Sequence, residues 1–340
     1  MRQNRIRTSS ATLVAATVGV VVWVNAGSLA PPAGPVTPTM KTLVQVEPRT
    51  DLATLPGDAS DLFIISQPGS YYLTTNLVGV NYASEIAITA NNVTLDLNGF
   101  ALLGVPNSYD GIYIPNAQTN ITVRNGSISG WGSEGVQSAS TSSFNMVFER
   151  LNVSASGVIG IGSAGVCVVR DCNSQNNGAN GIDCEGGGII SGCMADNNSE
   201  NGIVNVNGVG AITGCTANNN VYAGFWAAPC VVSGCTATNN GIGITLNANG
   251  GAAIGNNCIG NFTGIEMDSS HSRVEDNHVA ANSSAGIYCQ GPYSGNIIVK
   301  NSVSGSGGNN YDVIAGNVLG PLITTTGTIS SSNPWANFSY

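Results

Sequence analysis

Apolar residues recur along this chain in a short unit of about 22 residues. In each unit a glycine precedes an apolar residue, and apolar side chains then alternate with polar ones, as at Ile244 and Leu246 or Ile265 and Met267. Alternation with a period of two indicates a strand with one buried face. The repeat glycines are Gly181, Gly202, Gly224, Gly243, Gly264 and Gly286. Such a repeat predicts a solenoid, because no unit can bury its apolar face alone.

The units are too short and too rich in turn-forming residues to be helical. A helical repeat needs apolar runs of about ten residues or more at helical spacing, whereas these units are full of Gly, Asn, Ser and Thr, which are poor helix formers. The 45 glycines suit a chain that turns sharply several times per unit. We therefore predict an all-β fold, a single-stranded parallel β-helix whose coils of about 22 residues stack about 4.8 Å apart.

The first 26 residues have the pattern of a secretory signal peptide. Three arginines precede an apolar run at 11–24, and Ala26 follows with small residues at the positions that a signal peptidase recognises. The run is shorter than the roughly 20 residues that span a bilayer. We expect a secreted or extracytoplasmic protein, in the periplasm or at the cell surface, without a membrane span in the mature chain.

The composition predicts four segments. They are a signal peptide at 1–26, a proline-rich linker and lead-in at 27–62, the parallel β-helix at 63–310, and last strands with an aromatic C-terminal cap at 311–340. We expect a cap because an open solenoid end exposes apolar core and unpaired strand edges. Its predicted members are Trp335, Phe338 and Tyr340.

Four stretches resemble exported bacterial right-handed parallel β-helix repeat proteins of the pectin-lyase-like superfamily. These stretches are 66–73, 92–100, 120–128 and 333–338. The resemblance implies a right-handed coil. It leaves the activity open, because this fold hosts lyases, hydrolases, epimerases and non-catalytic binding proteins.

Stacked coils would turn repeated side chains into ladders. One predicted column contains Cys172, Cys193, Cys215 and Cys235, continued by Asn257, Asn277 and Asn301. A second contains Asn176, Asn197, Asn219, Asn239 and Asn261. We interpret the asparagines as amides that stack inside turns, rather than as sugar ligands, because five in register satisfy neighbouring backbone groups.

The nine cysteines allow three interpretations. Metal binding is disfavoured because no C-x-x-C pair occurs, so we predict no metal site. Disulfides suit an exported chain, and we name Cys172 with Cys193 or Cys215 with Cys235 as the candidate bridges. Our preferred interpretation is that most cysteines are unpaired and pack as small apolar residues. The odd count leaves at least one thiol without an internal partner.

The residues after the buried ones should form an outward column. It contains Tyr113, Gln137, Asp183, Val204, Trp226, Thr245, Glu266 and Tyr288, and a second column contains Glu185, Asn247, Asp268 and Gln290. Aromatic rings beside carboxylates are typical of a sugar-binding groove, because rings stack on sugar faces. We predict Trp226, Tyr288 and Tyr113 as substrate-binding residues.

The catalytic candidates form two separate pairs, Asp183 with Glu185 and Glu266 with Asp268. Within a strand each pair would lie about 6.6 Å apart, near the lower limit for an inverting glycosidase. Asp183 and Glu266 would lie about 19 Å apart, which is too far for one acid and base. The alternative is that all four are ordinary solvated acids.

Charge narrows the set of partners. The chain has ten Lys and Arg and 19 Asp and Glu, a formal net charge of -9. The surface should therefore repel nucleic acid and acidic glycans. We expect no cofactor, with Ca²⁺ required only if the glycan is acidic. Arg124, Glu149 and Arg170 should instead pair along the stack as a charge ladder.

These patterns predict a carbohydrate-directed protein that binds or processes a polysaccharide or cell-surface glycan on the outer sheet face. The alternative is a non-catalytic structural or adhesive surface protein. Signatures of polygalacturonase-like hydrolases, pectate lyases and alginate epimerases are absent from the chain. An enzyme here would be glycoside hydrolase-like or polysaccharide lyase-like, without those motifs, and the sequence leaves open whether the protein is an enzyme.

Overall fold

Three parallel sheets form the part of the chain that the structure describes, and each full coil adds one strand to every sheet. The structure is a computed structural model, which describes residues 49–324, 327–328 and 331–340. Within these residues the only helix is a single 3₁₀ turn, Leu52–Thr54. The predicted all-β parallel solenoid is therefore confirmed, whereas the predicted signal peptide and the linker up to residue 48 lie outside the described residues. In the described part, no helix is long and apolar enough to cross a membrane.

Sheet 1 contains the strands that follow the repeat glycines. In chain order its strands are Asp61–Ile65, Ser84–Ile88, Ile112–Ile114, Val136–Ser138, Ile161–Ser163, Ile182–Cys184, the first parts of Ile203–Thr213 and Ala223–Ser233, Ile242–Leu246, Thr263–Met267, Ile287–Cys289 and Tyr311–Val313. Residues of successive coils pair in register, as Ile182 does with Ile203 and Ile203 with Phe225. The predicted inward residues are all fully buried: Ile182, Ile203, Phe225, Ile244, Ile265 and Ile287.

Sheet 2 contains the predicted charge ladder. Its strands are Thr50–Asp51, Gly69–Tyr72, Val93–Asp96, the first parts of Thr119–Ser129 and Phe144–Ser154, Cys167–Arg170, Gly188–Ser191, the last parts of Ile203–Thr213 and Ala223–Ser233, Ala252–Ile254, Arg273–Glu275, Ile297–Val299 and Val318–Leu319. Arg124 lies 3.2 Å from Asp96 and 4.0 Å from Glu149. Glu149 also binds Arg150 at 2.9 Å and pairs with Arg170. The charge-ladder prediction is confirmed.

Sheet 3 completes each coil. Its strands are Leu77–Val78, Ala101–Leu103, the last parts of Thr119–Ser129 and Phe144–Ser154, Asn173–Gln175, Met194–Asp196, Thr216–Asn218, Thr236–Thr238, Asn257–Ile259, His278–Ala280, Ser302–Ser304 and Asn337–Ser339, with Leu322–Ile323 beside the last of these. Apolar side chains from all three sheets fill the interior, so the core runs along the solenoid axis.

An asparagine ladder stabilises the turn after sheet 3. The predicted Asn261 belongs to it, whereas the four other predicted members each precede the true member by one residue. Its members are the buried Asn177, Asn198, Asn220, Asn240, Asn261 and Asn282. Each Nδ2 donates to the Oδ1 of the next asparagine at 2.9 to 3.2 Å. The predicted Asn176, Asn197, Asn219 and Asn239 instead have left-handed backbones, with φ of 55° to 56°. This corner conformation directs the following side chain inward, which the sequence pattern could not show.

The cysteine column continues into a second asparagine ladder at the corner between sheets 2 and 3. Cys235 N donates to Asn256 Oδ1 at 2.9 Å, and Asn256 then bonds to Asn277 and Asn277 to Asn301. The predicted Asn257 is therefore wrong by one residue. The cause is that Ala253, and not the larger Ile254, is the strand partner of Val232.

One disulfide occurs among the described residues, and it is neither of the two pairs named from the sequence. Cys167 and Cys184 form it, and the other seven cysteines are buried free thiols. In the column, Cys193 Sγ lies 3.6 Å from the Val169 carbonyl oxygen, and Cys215 Sγ lies 3.7 Å from that of Ile190. These thiols contact backbone carbonyl groups of the preceding coils instead of bridging to one another.

The ends of the solenoid differ from the predicted boundaries. Strand Thr50–Asp51 already pairs with sheet 2, and Leu52 is fully buried, so the β-helix begins before residue 63. At the other end Trp335 is 49% exposed and Tyr340 is 60% exposed. Neither ring is among the residues that pack against the core, whereas Phe338 is half-buried in strand Asn337–Ser339, which pairs with strand Ser302–Ser304. The residues that pack against the C-terminal end of the core are Tyr293, Tyr311, Val313 and Leu319.

Candidate functional site

The predicted outward column exists on the outer face of sheet 1. Strand pairing places these residues in one row: Tyr113, Gln137, Gly162, Asp183, Val204, Trp226, Thr245, Glu266, Tyr288 and Asp312. Asp183, Val204 and Thr245 are buried and the others with large side chains are half-buried. The side chains of the row therefore partly cover one another and form a shallow trough.

One hollow in this trough opens where the row has a glycine. This Gly162 hollow has a volume of about 190 Å³ and is lined by Glu134, Gln137, Ser138, Ala139, Ile159, Gly162, Ser163, Ala164, Asp183 and Glu185. A Cβ atom on Gly162 would have no neighbour closer than 3.5 Å. The backbone thus accepts other residues there, and the missing side chain leaves the space between Gln137 and Asp183.

Asp183 is the most enclosed of the predicted catalytic residues. It is 7% exposed, and its Oδ2 accepts a 2.7 Å hydrogen bond from Asn180 Nδ2. Its Oδ1 is buried without a hydrogen-bond partner among the described residues. Burial raises the pKa of Asp183 to about 6, against the opposing effect of the Asn180 hydrogen bond, and the charges of Glu185 and Glu200 raise it further. Glu185 is exposed and lies two residues along the same strand edge.

A second hollow adjoins the first through Gln137. This Tyr113 hollow has a volume of about 330 Å³ and is lined by Ser60, Asp61, Ser84, Tyr109, Asp110, Tyr113, Ser133 and Gln137. Asp110 Oδ1 accepts a hydrogen bond from Glu134 N at 2.9 Å, and Ser133 donates to Glu134 Oε2. Burial, followed by the carboxyl group of Glu134, raises the pKa of Asp110.

Sequence reasoning missed Asp110, Glu134 and Gly162. A signal for the two acids was present, because an acid directly precedes the repeat glycine in two consecutive units, at Asp110-Gly111 and Glu134-Gly135. The importance of Gly162 had no such signal, because a glycine within a strand of a glycine-rich chain is unremarkable in sequence. Only the pairing of coils shows that it interrupts a row of side chains.

The remaining predicted site residues lie towards the C-terminal end. A Tyr288 hollow of about 290 Å³ is lined by Ile242, Phe262, Thr263, Glu266, Ser284 and Tyr288. Burial, then the charge of Asp268, raises the pKa of Glu266, and burial raises that of Asp268. Trp226 is half-buried in the row, between Val204 and Thr245. Asp183 and Glu185 thus line one hollow, Glu266 and Tyr288 line another, and Tyr113 lines a third.

Charge is segregated between the sheets. All six described Lys and Arg residues belong to sheet 2 or to its ends, and each is paired with a carboxylate: Arg49, Arg124, Arg150, Arg170, Arg273 and Lys300. Ten acids belong to the strands of sheet 1 and the turns beside them: Asp61, Glu85, Asp110, Glu134, Asp183, Glu185, Glu200, Glu266, Asp268 and Asp312. Among the described residues, no three His, Cys, Asp or Glu side chains come together to hold a metal ion.

A protein-family model supports the β-helix fold over part of the chain. Residues 204–319 match the family model described as the right handed beta helix region. Similar solved structures include the A-module of the Azotobacter vinelandii mannuronan C-5 epimerase AlgE6, with 16% identity, a TM-score of 0.49, and coverage of 74% of this chain and 91% of that chain. The periplasmic alginate epimerase AlgG has 15% identity, a TM-score of 0.37 and coverage of 83% and 74%.

Pectate lyase Pel9A is also similar, with 14% identity, a TM-score of 0.39 and coverage of 79% of this chain and 77% of that chain. No curated protein matches the sequence. At these identities no residue role is carried over from the solved structures.

Proposed function

We propose that this chain, a parallel β-helix, is a carbohydrate-directed protein that binds a glycan without acidic sugars along the outer face of sheet 1. The observation that carries the proposal is the row in which Tyr113, Trp226 and Tyr288 alternate with carboxyl groups, in register from coil to coil. Rings stack on sugar faces, and carboxylates accept hydrogen bonds from hydroxyl groups.

The geometry of the coil suits an extended polymer. Successive coils rise by about 4.8 Å, which is close to the length that one pyranose residue adds to an extended glycan. A glycan parallel to the solenoid axis would therefore present about one sugar to each coil. The face has no Lys or Arg among the described residues, so a glycan of uronic acids would be repelled unless Ca²⁺ bridged the charges.

We assign cleavage of the glycan to Asp183 and Glu185. Asp183 keeps its proton up to a pH of about 6 and can protonate the glycosidic oxygen as the bond from the anomeric carbon to that oxygen breaks. Glu185 can take a proton from the water that attacks the same carbon from the opposite face. Their separation of about 6.6 Å is at the lower limit for inversion. Glu266 and Asp268 would form a second carboxyl pair further along the glycan.

The test begins with binding to the full chain. A panel of neutral, amino-sugar and uronic-acid oligosaccharides is titrated while tryptophan fluorescence is followed, with Trp226→Ala as the variant that should lose the response. Trp131 is buried and Trp335 lies at the C-terminal end, so the difference between the two proteins isolates Trp226. If no oligosaccharide binds by fluorescence or by calorimetry, the non-catalytic structural or adhesive alternative is favoured.

Catalysis needs a separate measurement. Release of reducing ends should fall by about 100-fold or more in Asp183→Asn and in Glu185→Gln. Asp171→Asn removes an exposed carboxylate at the corner between sheets 2 and 3 and should leave the rate unchanged. Binding without any release of reducing ends would refute the hydrolytic part of the proposal and leave a glycan-binding protein.

The expected site of action follows from the signal peptide predicted at 1–26. We propose that the protein acts outside the cytoplasm, where polysaccharides are accessible. Detection of a mature chain that begins after Ala26 in an exported fraction would support this. An intact N-terminus on the cytoplasmic protein would contradict it.

A further inference from the structure

Gly162 is the only glycine in the described outward row of sheet 1. Other coils of the row have Gln137, Val204 and Thr245 at the same position, and all belong to the same type of strand. The fold therefore accepts polar and β-branched side chains there. Neither a left-handed backbone nor a crowded Cβ position requires a glycine at 162. The effect of Gly162 is therefore to leave a hollow, which is open on the outer face of sheet 1.

The ionisable groups of this hollow are all carboxyl groups. Glu134, Asp183 and Glu185 line it, and no Lys, Arg or His does so. Asp183 is more than nine-tenths buried, and its Oδ1 has no hydrogen-bond partner among the described residues. A buried carboxyl oxygen without a donor is costly. The hollow thus has an unmet requirement for hydrogen-bond donors and for positive charge.

We propose that the Gly162 hollow is a subsite for a protonated amino sugar, so that the ligand is a glycan with free amino groups. This inference rests on the glycan binding proposed above and specifies its substrate class. An ammonium group offers three donors and one positive charge to the surrounding carboxyl oxygens. An N-acetylated sugar lacks that charge, and a uronic acid brings charge of the wrong sign.

Two oligosaccharides of equal length test the proposal. Glucosamine tetramer and N-acetylglucosamine tetramer are titrated into the full chain by calorimetry at about pH 6.5, where Asp183, with a pKa of about 6, is mostly ionised and much of the amine still carries a proton. We expect the glucosamine tetramer to bind at least about tenfold more tightly, because charge-assisted hydrogen bonds replace neutral ones. Equal affinity, or tighter binding of the acetylated tetramer, would overturn the amino-sugar subsite and leave the glycan proposal intact. Absence of binding by both tetramers and by the wider panel would remove both proposals.

Variants of the lining residues test whether the affinity for glucosamine tetramer arises in the Gly162 hollow. Glu185→Gln and Asp183→Asn should each lose about tenfold in affinity for glucosamine tetramer, whereas Asp171→Asn should not change it. An equal loss in Asp171→Asn would show general attraction of a polycation to an acidic protein, and would contradict a specific subsite.

Gly162→Val fills the hollow with the residue that the row has at Val204. It should abolish the preference for the free amine while thermal melting stays at the wild-type temperature. An unchanged preference in a normally melting Gly162→Val protein would also overturn the inference. If Gly162→Val lowers the melting temperature, the test is repeated with Gly162→Thr, which introduces the residue that the row has at Thr245. Loss of the preference for the free amine would again support the inference, and an unchanged preference would overturn it.

Discussion

Asn220 Nδ2 donates to Asn240 Oδ1 at 2.9 Å, although 20 residues separate the two along the chain. The same Nδ2 also donates to the Ala195 carbonyl oxygen of the preceding coil at 3.0 Å. One amide therefore satisfies buried polar groups in the coils before and after it. Buried backbone groups at a solenoid corner need such partners, because water cannot reach them.

Replacing Asn220 by Ala should strongly destabilise the protein. The change removes the acceptor that Asn198 N and Nδ2 share and the donor to Ala195 O, at about 1 to 3 kcal/mol for each buried group. We expect a loss of about 3 to 5 kcal/mol in the free energy of unfolding, measured by denaturant titration. The control is Asn219→Gly, since Gly260 occupies the equivalent left-handed corner position, directly before Asn261 in the sequence. Equal losses in both variants would contradict the ladder as described.

Glu149 should be the key residue of the sheet 2 charge ladder. It is buried and pairs with Arg124, Arg150 and Arg170. Glu149→Gln removes the only negative charge that these three guanidinium groups share, and we expect a loss of about 2 kcal/mol in the free energy of unfolding. Asp171→Asn, an exposed acid of the same region, should change it by less than about 0.5 kcal/mol. A Glu149→Gln protein as stable as wild type would show that the pairs only offset their desolvation.

Glu85 should make the stability depend on pH. Burial raises its pKa from 4.5 to about 7, so the folded chain holds this proton more tightly than the unfolded chain does. The resulting stabilisation is complete below pH 4.5 and is lost as the pH rises through about 7, on the order of 2 kcal/mol. In Glu85→Gln the difference in unfolding free energy between about pH 4.5 and about pH 8 should shrink by that amount. An unchanged difference would refute the assignment.

Asp110 should also make the stability depend on pH. Its carboxyl group lies beside Glu134 of the adjacent coil, and its pKa is raised first by burial and then by Glu134. Stability from the retained proton is present at low pH and lost as the pH rises through the folded pKa. Asp110→Asn should therefore raise the stability at about pH 8 relative to that at about pH 5, measured by denaturant titration at both pH values. An unchanged difference between the two pH values would contradict this assignment.

The sequence alone was sufficient for the strands and for most of their pairing. Alternation around Ile244 or Ile265 is local, and a nearly regular spacing between units aligns most residues with their equivalents in the next coil. The charge ladder at Glu149 and the outward row through Asp183 and Trp226 follow from these two facts.

Tertiary structure decided the corners and the hollows. At Asn219 a left-handed backbone turns the next side chain inward, so the true ladder lies one residue later than the composition suggested. The unequal corners that join the strands also determine that Cys167 meets Cys184 and that Glu134 stacks on Asp110. Such contacts join residues from different corners or coils and depend on backbone direction at each turn, whereas alternation within a strand is independent of it. For that reason the sheets were predictable from the residues, and the candidate site became visible only in the folded chain.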